Sequence, residues 1–326
     1  KHILRSTSFS KPVILVGNLT TGGTGKTPCV EYIVRLLRQE QHLAVISRGY
    51  KRKTKGFIIG NENHSWKEIG DEPLQIATKF PDVTVAVDGK RKRGIKKLLH
   101  SSHPPDCIIM DDGFQHRKVK AGLSILLTDY SHPYSDDYLL PAGNLREHIS
   151  NRRRADIIVV TKSPAVKSPI SDKILLKKLK PLQHQLVFFS YLKFGPFTPL
   201  LHNSEIKKAC KTPNTIVLFT GIANPSSLQQ HLQDQCSKLI TLAFPDHHPF
   251  TAKDISKVLS TFNDQFTRNK ILVTTEKDYH RMKDYVFFGD LAKYPVFYIP
   301  VYVGFHTNYR GLEFDQVIRE YVSRNK

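Results

Sequence analysis

Apolar residues in the first half of the chain fall into short unbroken runs at 13–16, 43–46, 83–87, 107–110, 123–127 and 157–160. Their length and β-branched content predict strands. Between the first two runs the spacing changes, and Val30, Ile33, Val34, Leu36 and Leu37 recur at helical intervals across 29–39. Residues 89–100 predict a basic helix with Ile95, Leu98 and Leu99 on its apolar side. Strands that are apolar along their whole length and alternate with helices belong to a mostly parallel sheet covered on both faces.

A second series starts near Thr215, with strands at 216–219, 239–244, 271–274 and 296–303 and helices from Pro225 and over 251–262. Between the two series, 186–192 is an apolar strand followed by Gly195-Pro196 and Pro199, and it reads as a connector. The expected fold class is α/β: a P-loop NTPase-like, mostly parallel sheet with helices on both faces, plus a second, smaller α/β domain joined by strand-like linkers. The expected divisions are a P-loop domain over 1–185, a linker over 186–205, the smaller domain over 206–300, and a return linker with a C-terminal helix over 301–326.

The segment Thr21-Gly22-Gly23-Thr24-Gly25-Lys26-Thr27 sits directly between the first strand and the first helix. Glycines there let the backbone turn its N–H groups around an anion, and the following helix points its positive end at the same spot. In such a loop Lys26 reaches the outer phosphates of a nucleotide and the Thr27 hydroxyl serves magnesium. Pro28 suits the first helical turn, where its missing N–H costs little. The strict pattern asks for glycine five residues before Gly25, and that position is Thr20. The strand–loop–helix setting outweighs this one departure.

Acidic groups come next. The run ending at Met110 is followed by Asp111-Asp112, and ligands of parallel sheets gather at such carboxyl ends, so these acids are expected to face the loop and serve magnesium. Asp111 and Asp112 could also be ordinary turn residues. Asp71, in Gly70-Asp71-Glu72-Pro73, is a candidate general base, although an N-cap reading stands beside it. Asp246-His247-His248 follows the strand ending at Phe244; three such residues in a row do not converge on one zinc, but a His brought to an Asp makes a proton-accepting pair. Arg146-Glu147 offers a phosphate contact and a further metal ligand, or a surface ion pair.

Charge narrows the partners. The 326 residues carry 49 Lys and Arg against 29 Asp and Glu, a net +20, which favours phosphates, nucleic acid or an acidic membrane face. No nucleic-acid motif or aromatic stacking run accompanies the charge, so nucleic acid is not expected as a partner. Cys29, Cys107, Cys210 and Cys236 are scattered and form no CxxC pair, so free buried thiols in a reducing compartment are expected, not a disulfide frame or a zinc site. No apolar stretch approaches the roughly 20 residues that span a bilayer.

Eight segments in order resemble the tetraacyldisaccharide 4'-kinases of lipid A synthesis. They are Val16-Gly17-Asn18-Leu19-Thr20 with the glycine loop, Ser47-Arg48-Gly49-Tyr50, Gly70-Asp71-Glu72-Pro73, Asp111-Asp112-Gly113-Phe114-Gln115-His116, Gly143-Asn144-Leu145-Arg146-Glu147, Thr220-Gly221-Ile222-Ala223-Asn224-Pro225, Phe244-Pro245-Asp246-His247 and Thr275-Glu276-Lys277-Asp278. Thr20 in place of glycine is also how this family looks. The resemblance implies transfer of the γ-phosphoryl of ATP, with Mg2+, to the 4'-hydroxyl of an acylated glucosamine disaccharide 1-phosphate. It implies that Asp71 pairs with His247 to accept the proton, that Asp111, Asp112 and Glu147 serve Mg2+, that Arg48 and Tyr50 meet the glycolipid head group, and that Arg146 contacts phosphate. It also implies a monomer held peripherally at the cytoplasmic face of the inner membrane. Members usually begin with an apolar, amphipathic segment, and only residues 1–12 precede the first strand here, so membrane contact is expected to rest on a further N-terminal piece or on Lys90-Arg91-Lys92-Arg93 and Arg152-Arg153-Arg154. A partition-type ATPase switch is the competing reading, although position 21 is Thr where such switches often carry a second Lys.

Overall fold

The computed structural model describes residues 6–166, 168–200, 213–246, 248–282, 285, 288–291 and 293–325. The chain divides into two compact units, one formed by Lys1–Leu192 with Val303–Lys326 and the other by Lys193–Tyr302.

The larger unit is built on strands β1 (Val13–Asn18), β2 (Leu43–Ser47), β3 (Ile58–Gly60), β4 (Thr84–Val87), β5 (Cys107–Asp111), β6 (Leu123–Asp129), β7 (Ile157–Thr161) and β8 (Leu186–Phe194). The smaller sheet takes β9 (Thr198–Pro199), β10 (Thr215–Thr220), β11 (Lys238–Ala243), β12 (Lys270–Thr275) and β13 (Val296–Ile299), and β14 (Val301–Phe305) returns to the large one. The large sheet runs β14-β8-β7-β6-β1-β5-β2-β4-β3 and the small one β11-β10-β12-β13-β9. β1 lies in parallel between β5 and β6, and the β2–β5, β2–β4, β6–β7 and β7–β8 pairs are parallel as well. The short edge strand β3 is antiparallel to β4.

Helices α1 (Lys26–Leu37), α2 (Trp66–Ile69), α3 (Asp71–Lys79), α4 (Arg91–Leu99) and α5 (Pro169–Leu179) connect the strands. Side chains alternate across a strand, so β1 feeds two cores. Ile14 and Val16 join Val30, Ile33 and Val34 of α1 with Phe314, Ile318 and Val322 of the C-terminal helix Phe314–Arg324. Val13 and Leu15 join Ile95 and Leu98 of α4 and Leu175 and Leu179 of α5 on the other side. Each such aliphatic side chain contributes about 1.5–3 kcal/mol of burial, which is why the strands are apolar without interruption.

The run 296–303, read as one strand, is two. Pro300 lacks an N–H to give to a ladder, and it parts β13 of the small sheet from β14 of the large one. The segment read as a connector after residue 185 begins with β8, which pairs in parallel with β7. Cys29 and Cys107 are buried free thiols, whereas Cys236 is half-exposed; Cys210 lies outside the described residues.

In the smaller unit, two of the quoted segments meet at one carboxylate. Asp278, fully buried, accepts from the Thr220 hydroxyl (2.8 Å), the Gly221 N–H (3.0 Å) and the Thr275 hydroxyl (2.7 Å), and Arg281 pairs with it at 3.0 Å. The Thr220–Gly221 corner and the start of helix Glu276–Met282 are thereby fixed to each other.

Candidate active site

The glycine loop leaves β1 at Asn18 and ends at Gly25, the residue that opens α1. Gly22 and Gly25 have φ of 92° and 78°, in the left-handed region that a side chain disfavours. Three polar side chains, Asn18, Thr161 and Lys162, hold the loop. Asn18 Nδ2 donates to the Thr24 hydroxyl at 2.7 Å. The Thr161 hydroxyl at the end of β7 lies 3.0 Å from the Thr24 carbonyl and 3.1 Å from that of Thr128. Lys162 Nζ donates to the Gly23 carbonyl at 2.6 Å and pairs with Asp129, at the end of β6, at 2.8 Å.

A trans peptide points its C=O and N–H in opposite directions. With the Gly23 and Thr24 carbonyls drawn toward the ends of β6 and β7, the next N–H groups turn to the other side of the loop. That orientation is what an anion nest requires.

Lys26 Nζ donates to Asn18 Oδ1 at 3.4 Å and lies 3.7 Å from Asp112 Oδ1. Asp112 is also held by a two-pronged contact from Arg146, at 3.0 and 3.3 Å, and Arg146 donates to Asn18 Oδ1 as well. Lys26 and Arg146 therefore tie the end of β1, at the buried Asn18 amide, to the end of β5, at Asp112. The 144–147 turn is fixed to the loop by the main chain: Thr21 N–H donates to Asn144 O at 2.8 Å, and Arg146 N–H to Leu19 O at 2.7 Å. Glu147 accepts from Gln115 Nε2 at 2.9 Å and pairs with Arg154 at 2.5 Å, so both its oxygens are engaged.

Asp111 stands apart. Its carboxyl is buried at the tip of β5, and its Oδ1 has no hydrogen-bond partner. Burial first, and then the neighbouring Asp112, push its pKa up to about 6, against the pull of Lys26 and Arg91. For Asp112 burial also works upward, but Lys26 and Arg146 outweigh it and hold that carboxylate below its ordinary value. One acid is thus firmly ionised beside a lysine, and the other is a buried, under-satisfied oxygen. The second condition suits a hard cation, which takes oxygen ligands and offsets such a group.

Around this acidic tip lies a cationic wall. Arg91 is almost wholly buried, donating to the Asp88 and Asp111 carbonyls, and burial lowers its pKa to about 10. Burial, then Arg91 and Arg48, lower His116 to about 4, so its ring is neutral near pH 7. Arg48 and Tyr50 are both exposed on the chain leaving β2. That chain packs tightly on the Asp71 turn: a Cβ on Gly49 would come within 2.6 Å of the Ile69 carbonyl, and one on Gly70 within 2.9 Å of the Gly49 Cα. Asp71 is the buried first residue of α3, with Gly70 in the capping position, so it is not an N-cap. Asp71 and Asp111 are linked through neighbouring chain ends: the Asp71 turn packs on Gly49, just beyond β2, and β2 pairs in parallel with β5, which ends at Asp111.

His247 lies outside the described residues. Its neighbour His248 meets Asp254 at 3.0 Å, within the cap of helix Ala252–Asn263. The two basic runs are not simple solvated faces. Arg91 is buried in the site, Arg93 pairs with Asp88, and Arg154 is spent on Glu147 and the Phe114 carbonyl. Sequence reasoning missed Asn18, Arg91, Arg154, Thr161 and Lys162 as site residues. Asn18 alone carried a signal, a polar residue closing an otherwise apolar strand.

A glycine loop at a helix start, a lysine from that helix and a carboxylate-tipped neighbouring strand define an α/β phosphotransferase of the P-loop class. The model of the tetraacyldisaccharide-1-P 4'-kinase family, LpxK, matches residues 1–320. Tetraacyldisaccharide 4'-kinases of Bacteroides thetaiotaomicron and Flavobacterium johnsoniae are 41% and 42% identical, over 99% and 100% of this chain and 87% and 91% of their own lengths. The crystal structure of LpxK from Aquifex aeolicus in complex with ATP superposes with a TM-score of 0.70 at 28% identity, covering 99% of this chain and 90% of that one. The chain belongs to the tetraacyldisaccharide-1-P 4'-kinase family, whose reaction is a step of lipid A biosynthesis. This also sets aside the partition-switch and nucleic-acid readings.

Proposed function

We propose that residues 21–27 hold the phosphates of ATP, and that the γ-phosphoryl passes to the 4'-hydroxyl of tetraacyldisaccharide 1-phosphate beside Asp71. The observation that carries this reading is that Lys26 and Arg146 share both the Asn18 amide oxygen and the Asp112 carboxylate, with the unpartnered oxygen of Asp111 on the adjoining residue. Lys26 and Arg146 are then two cations sharing one carboxylate, placed to shift onto phosphate oxygens when a nucleotide brings its own negative charge.

Thr27 and Asp111 fit a magnesium site, with Asp112 beside them. Bound Mg2+ would neutralise charge on the transferred group. Glu147, with both oxygens engaged, fits better as the anchor that orders Gln115 and Arg154 than as a direct ligand. Asp71 is the base: it is buried and ionisable, and its turn packs on Arg48-Gly49-Tyr50, which meets the acceptor's head group. His247 is assigned to Asp71 as its partner on the family resemblance. The enzyme acts as a monomer, peripherally, at the cytoplasmic face of the inner membrane. Its +20 charge suits an acidic leaflet, and among the described residues no helix is long and apolar enough to cross a membrane.

The test is Asp71→Asn. Nucleotide affinity should stay within about twofold, while kcat falls by about two orders of magnitude or more, the usual weight of a general base. An unchanged kcat would remove Asp71 from the chemistry.

A further inference from the structure

Two exposed apolar segments of the larger unit play no part in the site. Helix α5 buries Leu175 and Leu179. By helical geometry its opposite face carries Ile170 and Ile174 one turn apart, with Lys173 and Lys177 between and beyond them. Ile170 is 73% exposed and Ile174 54%. The other segment is Tyr138, Leu139 and Leu140, also exposed. The Asp136–Lys178 ion pair, at 2.6 Å, links the two.

The second segment is coupled to the phosphate loop through the main chain. Leu145 N–H donates to Tyr138 O at 2.9 Å, and Leu140 N–H donates to Leu145 O at 3.0 Å. Asn144 and Arg146, on either side of Leu145, hold Thr21 and Leu19. Whatever seats Tyr138, Leu139 and Leu140 is thereby tied through the main chain to both ends of the Leu19–Thr21 segment that enters the glycine loop.

Exposed isoleucines framed by lysines match one partner chemistry. Aliphatic groups enter the boundary between lipid head groups and acyl chains, while lysine stems lie along the same apolar surface with their ammonium groups among anionic heads. We propose that Ile170, Ile174, Tyr138, Leu139 and Leu140, framed by Lys173 and Lys177, form the docking surface for an anionic bilayer and bring the lipid phase beside the phosphate loop. The proposal rests on the kinase reading in one respect, that a tetraacylated acceptor is delivered from such a phase. It differs from a purely electrostatic attachment through the two basic runs, whose Arg91 and Arg154 are committed to the site.

The experiment is co-sedimentation of the 326-residue chain with vesicles of phosphatidylglycerol and phosphatidylethanolamine, and separately with phosphatidylcholine alone. The chain should bind the anionic vesicles. Ile170→Ser with Ile174→Ser should weaken that binding about tenfold or more, as should Leu139→Ser with Leu140→Ser, and Lys173→Gln with Lys177→Gln should remove most of the preference for anionic lipid. Phe266→Ser, at a fully exposed apolar side chain of the smaller unit, should change nothing. The Ile170/Ile174 double variant should still phosphorylate acceptor dispersed in detergent at the wild-type rate, showing that it is folded. Wild-type indifference to anionic vesicles overturns the proposal, and so does undiminished binding by the Ile170/Ile174 variant. Absence of phosphoryl transfer by the wild type in detergent would instead count against the kinase reading, and the vesicle result would stand on its own.

Discussion

Asp111→Asn should make the metal-free protein more stable while abolishing its activity. The carboxyl is buried with one oxygen unpartnered, and its pKa rises from 3.8 to about 6. A group whose folded pKa is raised favours the folded state below its unfolded pKa, and that advantage disappears as pH climbs through the folded value. The acid therefore costs the folded protein about 1–2 kcal/mol at pH 5, where it stays protonated while the unfolded carboxyl ionises, and about 3 kcal/mol at pH 8, where it must ionise in place, from roughly two pKa units at 1.36 kcal/mol each. Asparagine keeps the shape but never ionises. Local relaxation recovers part of the strain, so at about 2 °C per kcal/mol the variant's Tm at pH 8 should exceed wild type by roughly 3–6 °C. The assay is thermal and urea unfolding in chelator at both pH values, with turnover measured in parallel. A variant no more stable than wild type at pH 8, or a gain that does not shrink toward pH 5, would refute the idea that function keeps a buried charge here at the expense of stability.

Other perturbations test the neighbouring parts. Gly17→Ala would put a Cβ 2.7 Å from Phe114 Cβ and 2.8 Å from its nitrogen, so it should cost about 1–3 kcal/mol of stability and displace the Asp111–Asp112 tip, seen as a joint fall in Tm and turnover. Thr161→Val and Lys162→Met should each weaken ATP and ADP binding about fivefold or more while sparing adenosine, with Thr161→Ser restoring affinity; equal losses for all three ligands would mean that they merely support the fold. His247→Ala should lower kcat less than Asp71→Ala does, since an orienting partner is partly replaceable, and steady-state kinetics of the pair decide that ranking.

Much of this site was legible because burial on both faces writes itself into a strand as unbroken β-branched residues, and the loops that follow such strands then stand out. Val13–Asn18 into the glycine loop, and Cys107–Asp111 into Asp112, were readable on that basis. What escaped was set by tertiary placement. Arg91 sits in a basic run that looks solvated, yet helix α4 turns that one side chain inward to the Asp88 and Asp111 carbonyls. Thr161 and Lys162 look like the end of a strand, and only the ordering of β7 beyond β6 brings them to the carbonyls of the phosphate loop. The break at Pro300 was visible as a residue but not as a change of sheet, because two short strands on either side of a proline share one apolar run.

The central claim is that a glycine-lined loop and a carboxylate-tipped strand grip one nucleotide beside a sugar hydroxyl. The most direct measurement supplies ATP labelled at the γ-phosphate to wild type and to Lys26→Ala, with and without tetraacyldisaccharide 1-phosphate, and then extracts the products into organic solvent. Label should enter the organic phase only with wild type and acceptor together, while the folded Lys26→Ala protein leaves it in water. Label that stays aqueous when wild type is given the acceptor, or that moves equally well with Lys26→Ala, would contradict the account.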